Sequence, residues 1–219
     1  MPTLLYELPF VRDEVETIYN LPASDVTLEP SVLVRDLGVS ISKSLSWSDH
    51  ISIITDAARR TAAWVLSVFL DRSQTTMLQL YKSLIRSRLE FSCPLWNPLS
   101  KVTDIGKLES VQRSFTAKIT SVAHLDYWKR LKSLGLMSLQ RRRERYDIIY
   151  MWKILNGLVP NDLNITFEFN PRHGIRAVVP SITKSSSAAT KTIVDSSFLV
   201  RGCNLWNSLP IEINTATSL

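Results

Sequence analysis

Residues 48–70 read SDHISIITDAARRTAAWVLSVFL, and this stretch decides the fold class of the chain. Apolar residues recur in it at spacings of three and four, from Ile51 to Val65, which is typical of the buried face of an α-helix. Ser48 or Asp49 precedes them and supplies a side-chain oxygen that accepts a hydrogen bond from the first free amides of a helix. The sequence therefore predicts a long helix that begins near Ser48.

Four shorter segments downstream show the same helical period. A second helix is predicted after Ser73, a third after Thr103, a fourth over residues 127–134 with Gly135 at its end, and a fifth after Ser138. Glycine suits the left-handed position that closes a helix. We therefore expect the middle of the chain to be an all-helical bundle.

The segments on either side of the bundle have a different pattern. Residues 26–28 and 34–41 are rich in β-branched residues and flank the loop of residues 29–31, which predicts two antiparallel strands. After Gly157 the pattern weakens, and residues 181–197 contain nine Ser or Thr in seventeen. That composition favours a loop or a linker.

The predicted fold class is therefore mainly α, a helical bundle that follows a short β-hairpin and precedes an irregular C-terminal extension. The predicted domains are a leading segment over residues 1–44, a basic helical domain over residues 45–157 and a Ser/Thr-rich extension over residues 158–219. A chain of 219 residues has the length of one large domain or two small ones.

Composition and hydropathy exclude several classes of protein. The chain is 45% hydrophobic and 21% charged, which excludes a disordered tail, a collagen-like repeat and a coiled-coil rod. Two cysteines, Cys93 and Cys203, are too few for a disulfide-stapled scaffold or a zinc site built on Cys pairs. Charged residues interrupt the first 20 residues, and the longest apolar run, residues 62–70, is shorter than the roughly 20 residues of a membrane span. We expect an intracellular protein of the nucleus or cytoplasm with no membrane partner.

The net charge of +6 is unevenly distributed. Residues 1–58 contain 3 basic and 9 acidic residues, whereas residues 59–153 contain 18 basic and 7 acidic residues, a net charge of +11. The remaining residues have a net charge of +1. An asymmetry of this size favours a surface for a polyanion in the middle of the chain.

Motifs for catalysis are not found in the sequence. There is no Asp-Asp pair, P-loop, G-x-G-x-x-G or G-x-S-x-G motif. His50, His124 and His173 are far apart and adjoin no paired cysteines or carboxylates. We therefore expect neither enzymatic activity of this chain on its own nor a metal or cofactor site.

Three successive arginines lie in the first turns of the fifth predicted helix: Arg141, Arg142 and Arg143. Cations at a helix N-terminus oppose the helix dipole, at roughly 0.3–1 kcal/mol each when exposed, so an anion is expected nearby. One interpretation is local pairing with Glu144, Asp147 or acidic residues of segment 1–58. The other is contact with the phosphates of a nucleic acid, for which the arginine fork is well suited.

A second basic set lies on or near the third predicted helix: Lys107, Arg113 and Lys118. The spacing of eleven residues predicts that Lys107 and Lys118 share a helix face away from the apolar stripe. A solvated face is one interpretation and contact with a nucleic-acid backbone is the other.

Five tryptophans are expected in the core: Trp64, Trp96, Trp128, Trp152 and Trp206. Trp47 stands in a polar stretch and is interpreted as a hydrophobic staple or a base-stacking platform.

Several blocks of sequence occur in a fixed order. They are residues 34–39 (VRDLGV), 45–51 (LSWSDHI), 80–86 (LYKSLIR), 93–98 (CPLWNP), 108–113 (LESVQR), 130–139 (RLKSLGLMSL), 153–157 (KILNG) and 206–210 (WNSLP). Together these blocks resemble the region that follows the polymerase palm in jockey-like non-LTR (LINE-type) retrotransposon reverse transcriptases. Ser87 departs from the proline that the family often has, and residues 172–176 (RHGIR) depart from its threonine-arginine-glycine-like stretch.

The resemblance implies a fragment that binds nucleic acid without catalysing polymerisation. In the family the palm motif, aromatic-x-Asp-Asp, holds two magnesium ions, and it would precede residue 1 of this sequence. Magnesium is therefore expected only in a complete family member, and no cofactor is expected here. By analogy the hairpin is similar to a primer grip and the helical domain to a thumb. The implied partner is an RNA–DNA or RNA duplex, held without sequence selectivity by the phosphate contacts of Lys107, Arg113, Lys118, Arg141, Arg142 and Arg143.

Two other interpretations come from different classes. In the first, the chain is a repurposed helical protein–protein interaction module, in which the acidic segment 1–58 covers the basic helices. Alternatively, it is a relic of a mobile element without a selected function. Steep salt dependence of binding distinguishes a duplex ligand from an apolar protein contact.

Overall fold

The computed structural model describes residues 19–20, 27–28, 31–98, 101–172, 174–178 and 197–215. The strands pair in sequence order as antiparallel hairpins: β1 (Tyr19–Asn20) with β2 (Thr27–Leu28), β3 (Leu33–Asp36) with β4 (Val39–Ser42), and β5 (Thr166–Asn170) with β6 (Gly174–Val178). The helices are α1 (Ser48–Val68), α2 (Gln74–Leu80), α3 (Ser87–Glu90), α4 (Cys93–Trp96), α5 (Val102–Thr116), α6 (Tyr127–Ser133), α7 (Leu139–Leu155), α8 (Phe198–Asn207) and α9 (Ile211–Asn214). The predicted fold class, mainly α with a preceding hairpin, is confirmed.

The hairpin that leads into the helices has a different register from the predicted one. Residues 33–36 pair with residues 39–42 across a two-residue turn at Leu37 and Gly38. Both turn residues have positive φ, 43° and 90°, which matches the turn that the right-handed twist of paired strands favours. The predicted pairing of residues 26–28 with residues 34–41 is therefore wrong, because residues 27–28 pair with residues 19–20 and Gly38 lies in the turn of the second hairpin.

The first hydrophobic core lies among α1, α5 and the segment between them. The predicted stripe of α1 is buried at Ile51, Ala58 and Val65. It packs against α5, whose buried residues include Leu108 and Phe115. The starts of α1 and α7 agree with the sequence, and Ser138 caps α7 as predicted. The predicted cap of α1 by Ser48 or Asp49 is wrong, because residue 47 precedes the helix and makes no side-chain cap hydrogen bond.

The second predicted helix contains a π-helical segment over Tyr81–Arg86. Tyr81, Ile85 and Leu89 are all fully buried, at spacings of four residues. In an α-helix each such step rotates the side chain by about 40°, whereas the wider π-helical turn keeps the three side chains directed at one core. The Tyr81 hydroxyl donates a hydrogen bond of 2.6 Å to Gln112 Oε1 in α5 and anchors the segment there.

A second core lies between the end of α7, α8 and the β5–β6 hairpin. Its buried residues are Met151, Ile154, Ile165, Ala177, Cys203 and Trp206. At Gly202 the two helices approach so closely that an added Cβ would lie 3.0 Å from Met151 Sδ. The β5–β6 hairpin over residues 166–170 and 174–178 was not predicted within this extension, since five-residue strands give only a weak sequence pattern.

The long helix α7 contributes to both cores, with Leu139 in the first and Met151 in the second. The predicted Ser/Thr-rich linker falls mainly on residues 181–196, outside the described residues. In the described part of the chain, none of the helices has the length and apolarity needed to cross a membrane.

Candidate nucleic-acid interface

Hydrogen bonds to two buried side chains join α5, α6 and α7. The Glu109 carboxylate accepts hydrogen bonds from the Tyr127 hydroxyl and, at 3.1 Å, from the backbone N–H of Leu139. Gln112 Nε2 donates to the Tyr127 hydroxyl at 2.9 Å and to the Met137 carbonyl at 3.2 Å. These contacts define the α5–α6–α7 junction, which fixes the starts of α6 and α7 on the middle of α5. Burial, followed by the hydrogen bond to Glu109, raises the pKa of Tyr127, so its phenol stays protonated.

Two arginines pack on the aromatic ring of this junction. The guanidinium carbon of Arg113 lies 4.8 Å from the Tyr127 ring centroid, and that of Arg130 lies 5.9 Å from it. Arg130 is buried and donates to the carbonyl oxygens of Leu125 at 2.8 Å and of Arg113 at 3.3 Å. Arg113 is exposed, so its charge is held on the protein surface by a cation–π contact.

Exposed cations surround the junction. Five of them form no ion pair with any carboxylate in the described ranges, and we call this set the basic face: Arg113, Lys118, Lys132, Arg141 and Arg145. They lie on α5 or just beyond its end, on α6, and in the first two turns of α7. Among the described residues, no carboxylate neutralises these five positive charges.

The three successive arginines of α7 have three different environments. Arg141 is exposed and belongs to the basic face. Arg142 is 20% exposed and binds both carboxylate oxygens of Glu90 in α3, with Nη2 at 3.0 Å from Oε2. Its hydrogen bond to Glu90 raises the pKa of Arg142. The local-pairing interpretation therefore holds for Arg142, with Glu90 as partner in place of Glu144 or Asp147.

Arg143 cannot contact a phosphate at the surface, because its side chain is 0% exposed. Its Nε donates a hydrogen bond of 3.2 Å to Asn97 Oδ1, while Nη1 and Nη2 have no hydrogen-bond partner among the described residues. Burial lowers the pKa of Arg143. The prediction that Arg143 binds nucleic acid is therefore wrong, since residue 143 lies on the core-facing side of α7.

The second predicted basic set does not lie on one side of α5. Lys107 is directed towards α1, with its ammonium 3.0 Å from Ser52 Oγ and 3.6 Å from Asp104 Oδ1. Arg113 lies on the opposite flank, against α6. Lys118 follows the end of α5, so the prediction that it shares a helix face with Lys107 is wrong. Arg113 and Lys118 remain exposed at the junction, whereas Lys107 is already partnered.

The tryptophans divide between the cores and the surface. Trp96 and Trp206 are buried as predicted, and Trp47 packs against the first core at the start of α1. Trp64 and Trp128 are 55% and 63% exposed, so the prediction that they lie in the core is wrong.

Trp128 adjoins Tyr127, with ring centroids 5.1 Å apart, and its position on the surface of the junction was not predicted from the sequence. The available signal was the helical period of α6. Tyr127 and Leu131 take the buried stripe, and residue 128 is rotated by about 100° from the position before it.

No three His, Cys, Asp or Glu side chains among the described residues are grouped as a metal ion would require. Burial, followed by nearby Asp147 and Glu90, raises the pKa of Cys93 to about 12, so its thiol is not an activated nucleophile. A cleft of about 430 Å³ beside α8 is mainly apolar, and its charged residue is Asp162, which would repel an anionic ligand.

Comparison of the chain with models of protein families, with curated proteins and with solved structures finds no match.

Proposed function

We propose that this chain binds primer–template-like nucleic acid, an RNA–DNA or RNA duplex, without sequence selectivity. We further propose that it is the post-palm, thumb-like part of a jockey-like non-LTR retrotransposon reverse transcriptase, without the catalytic palm. The observation that supports binding is the basic face: five exposed cations that pair with no described carboxylate and lie on or beside elements that a buried junction joins. The proposed role is that of a clamp on the duplex, with no chemical step on this chain.

The chemistry of the basic face fits phosphates better than bases. Arginine and lysine neutralise backbone phosphates irrespective of sequence, and phosphate contacts position a duplex without reading it. Arg141 and Arg145 are separated by four residues on the exposed side of α7, so their guanidinium groups lie on one helix face. The cation–π contact of Arg113 with Tyr127 reduces the side-chain ordering that binding requires at that position.

The family proposal is supported by where its sequence blocks lie in the fold. Glu109 and Gln112 belong to the block 108–113, and Met137 and Leu139 belong to the block 130–139. The two blocks that resemble the family thus meet at the junction beneath the basic face. A thumb that holds a duplex needs such a support under its cations.

The test is fluorescence anisotropy with a labelled RNA–DNA duplex over a series of salt concentrations. We expect micromolar binding at low salt and a linear decrease of log affinity with log salt. The double variant Arg141→Gln, Arg145→Gln should reduce the slope by about 0.9 for each lost phosphate contact, hence by about 2 in all. The matched control is Arg172→Gln, Arg176→Gln, which removes two exposed arginines near the second core.

Two results would contradict the proposal. A folded wild-type protein that fails to bind the duplex at low salt excludes the clamp. An equal reduction of the slope in both double variants assigns binding to net charge and not to the basic face.

A second function, docking of another protein chain, is favoured by a separate observation. Trp64 and Val68 on α1 and Leu70 just beyond it are exposed, and the first two are four residues apart on one helix face. Contiguous exposed apolar surface is typical of protein-binding sites. Binding of a protein through this surface would be insensitive to salt, unlike binding of a duplex.

A further inference from the structure

Trp128 lies at the edge of the basic face, and the phosphate contacts proposed above do not use it. We propose that its indole is a stacking platform for an unpaired base, so that the protein prefers a duplex with a single-stranded extension to a blunt duplex. The inference rests on the proposed function, and it specifies which part of the nucleic acid Trp128 binds. The site would take a nucleotide base of any identity, since every base has a π face.

The backbone around Trp128 is held in place. Asp126 caps α6, with its Oδ1 accepting hydrogen bonds of 3.1 Å from the backbone N–H groups of Trp128 and Lys129. On its other side the Trp128 ring lies 5.1 Å from the anchored Tyr127 ring, with the planes inclined at 55°. A supported ring that is still 63% exposed offers a flat apolar surface to solvent at little ordering cost.

The charges around the ring suit an anionic chain. Arg113 lies on the Tyr127 ring next to Trp128, and Lys132 is exposed one turn further along α6. The Asp126 carboxylate is paired with Lys129 at 3.2 Å, so its negative charge is offset locally. Aromatic rings between backbone-binding cations are the common arrangement for binding single-stranded nucleic acid.

Trp64 provides the contrast that makes the assignment specific. It is similarly exposed, at 55%, but its neighbours are apolar, with the Phe69 ring at 6.5 Å and Val68 one turn away. An exposed tryptophan alone needs no functional explanation. The combination of exposure, ring support and adjacent cations distinguishes Trp128 from Trp64.

An unpaired base fits this platform better than a base within a duplex. Bases in a duplex are stacked on their neighbours, and their faces are inaccessible to a side chain without the cost of unstacking. A single-stranded extension has free faces and can continue past the clamped duplex. The preference should therefore appear as additional affinity when an extension is added to the same duplex.

The test compares a short blunt RNA–DNA duplex with the same duplex bearing a short single-stranded extension, by fluorescence anisotropy at one salt concentration. We expect the extension to increase the affinity of the wild-type protein by roughly tenfold. Trp128→Ala should abolish this gain and leave the affinity for the blunt duplex unchanged, whereas Trp128→Phe should keep most of the gain. Trp64→Ala is the matched control and should keep all of it.

The outcomes separate this inference from the proposed function. Binding of the blunt duplex with no gain from the extension, or a gain that Trp128→Ala retains, overturns the stacking platform alone. Loss of affinity for both ligands in Trp128→Ala also overturns it, provided that the unfolding transition of the variant matches the wild type. Failure of the folded wild type to bind either ligand overturns the proposed function.

Discussion

At the scale of single residues, His50 links the leading hairpin to the helical core. It is buried in the first turn of α1, and its Nδ1 accepts a hydrogen bond of 3.2 Å from the backbone N–H of Ser40 in β4. The neutral ring therefore has its proton on Nε2, which has no hydrogen-bond partner among the described residues. Burial, followed by the nearby Arg35 guanidinium, lowers the pKa of His50. Protonation of Nδ1 would break the bond to Ser40.

We expect the free energy of unfolding to decrease as the pH falls below about 6.5, the ordinary pKa of histidine. Below that pH the unfolded chain binds a proton that the folded chain does not, so stability is lost at up to about 1.4 kcal/mol per pH unit. The loss should cease once the pH passes the lowered pKa of the folded state. Denaturant unfolding at several pH values measures this loss of stability. His50→Asn, which keeps an acceptor near Nδ1, should flatten this dependence, whereas His124→Asn at an exposed site should not. An unchanged pH dependence in His50→Asn would contradict the assignment.

The arginines at the start of α7 show what could be predicted about single residues. The sequence correctly placed a basic cluster on this helix, because its charge excess is a local property. Each residue turns the next by about 100°, so successive arginines had to face different surroundings. Their partners were beyond prediction, since Glu90 and Asn97 lie 52 and 46 residues away in sequence. Only the folded chain shows that Arg143 is buried and that Arg141 pairs with no carboxylate among the described residues.

At the scale of secondary-structure elements, helices were predictable and hairpin registers were not. The period of apolar residues in α1 or α5 is contained in the element itself, so a single stretch of sequence is sufficient. A hairpin register depends on the turn, and Leu37-Gly38 is not among the dipeptides that are typical of a two-residue hairpin turn. Leucine with φ at 43° is unfavourable, and the paired strands on either side hold it there.

The turn residues should respond to substitution in opposite directions. Gly38→Ala should lower the free energy of unfolding by about 1–2 kcal/mol, because φ is 90° there and the new Cβ would lie 3.2 Å from Phe91 Cε1. Leu37→Asn should raise it by about 0.5–1 kcal/mol, since asparagine tolerates positive φ and Leu37 is 88% exposed. Denaturant unfolding of both variants is the measurement. Stabilisation by Gly38→Ala would indicate that Gly38 lies within a strand, and would contradict this register.

At the scale of the whole molecule, a buried polar cluster joins the two cores. Asp147 on α7 accepts hydrogen bonds of 2.8 Å from Arg201 Nε on α8 and of 2.8 Å from Asn97 Nδ2 beyond α4. Arg201 also donates to the carbonyl oxygens of Pro94 and Asn97. Burial raises the pKa of Asp147, and its hydrogen bond to Arg201 opposes that rise. The cluster therefore links the C-terminal extension to the helical bundle. These two regions were predicted from the sequence to be separate domains.

Removal of the cation from this cluster should weaken the entire fold. Arg201→Met leaves Asp147 as a buried charge without its ion-pair partner, and the expected loss is about 3–5 kcal/mol in the free energy of unfolding. The double variant Asp147→Asn, Arg201→Met should regain most of that loss, because it also removes the carboxylate whose ion-pair partner is lost. Arg145→Met, at an exposed position on the same helix, is the control and should change stability by no more than about 0.5 kcal/mol.

Denaturant unfolding followed by tryptophan fluorescence reports on both cores, since Trp96 lies in the first and Trp206 in the second. A loss confined to one of two separate transitions would show that the cores unfold independently and that the cluster does not couple them.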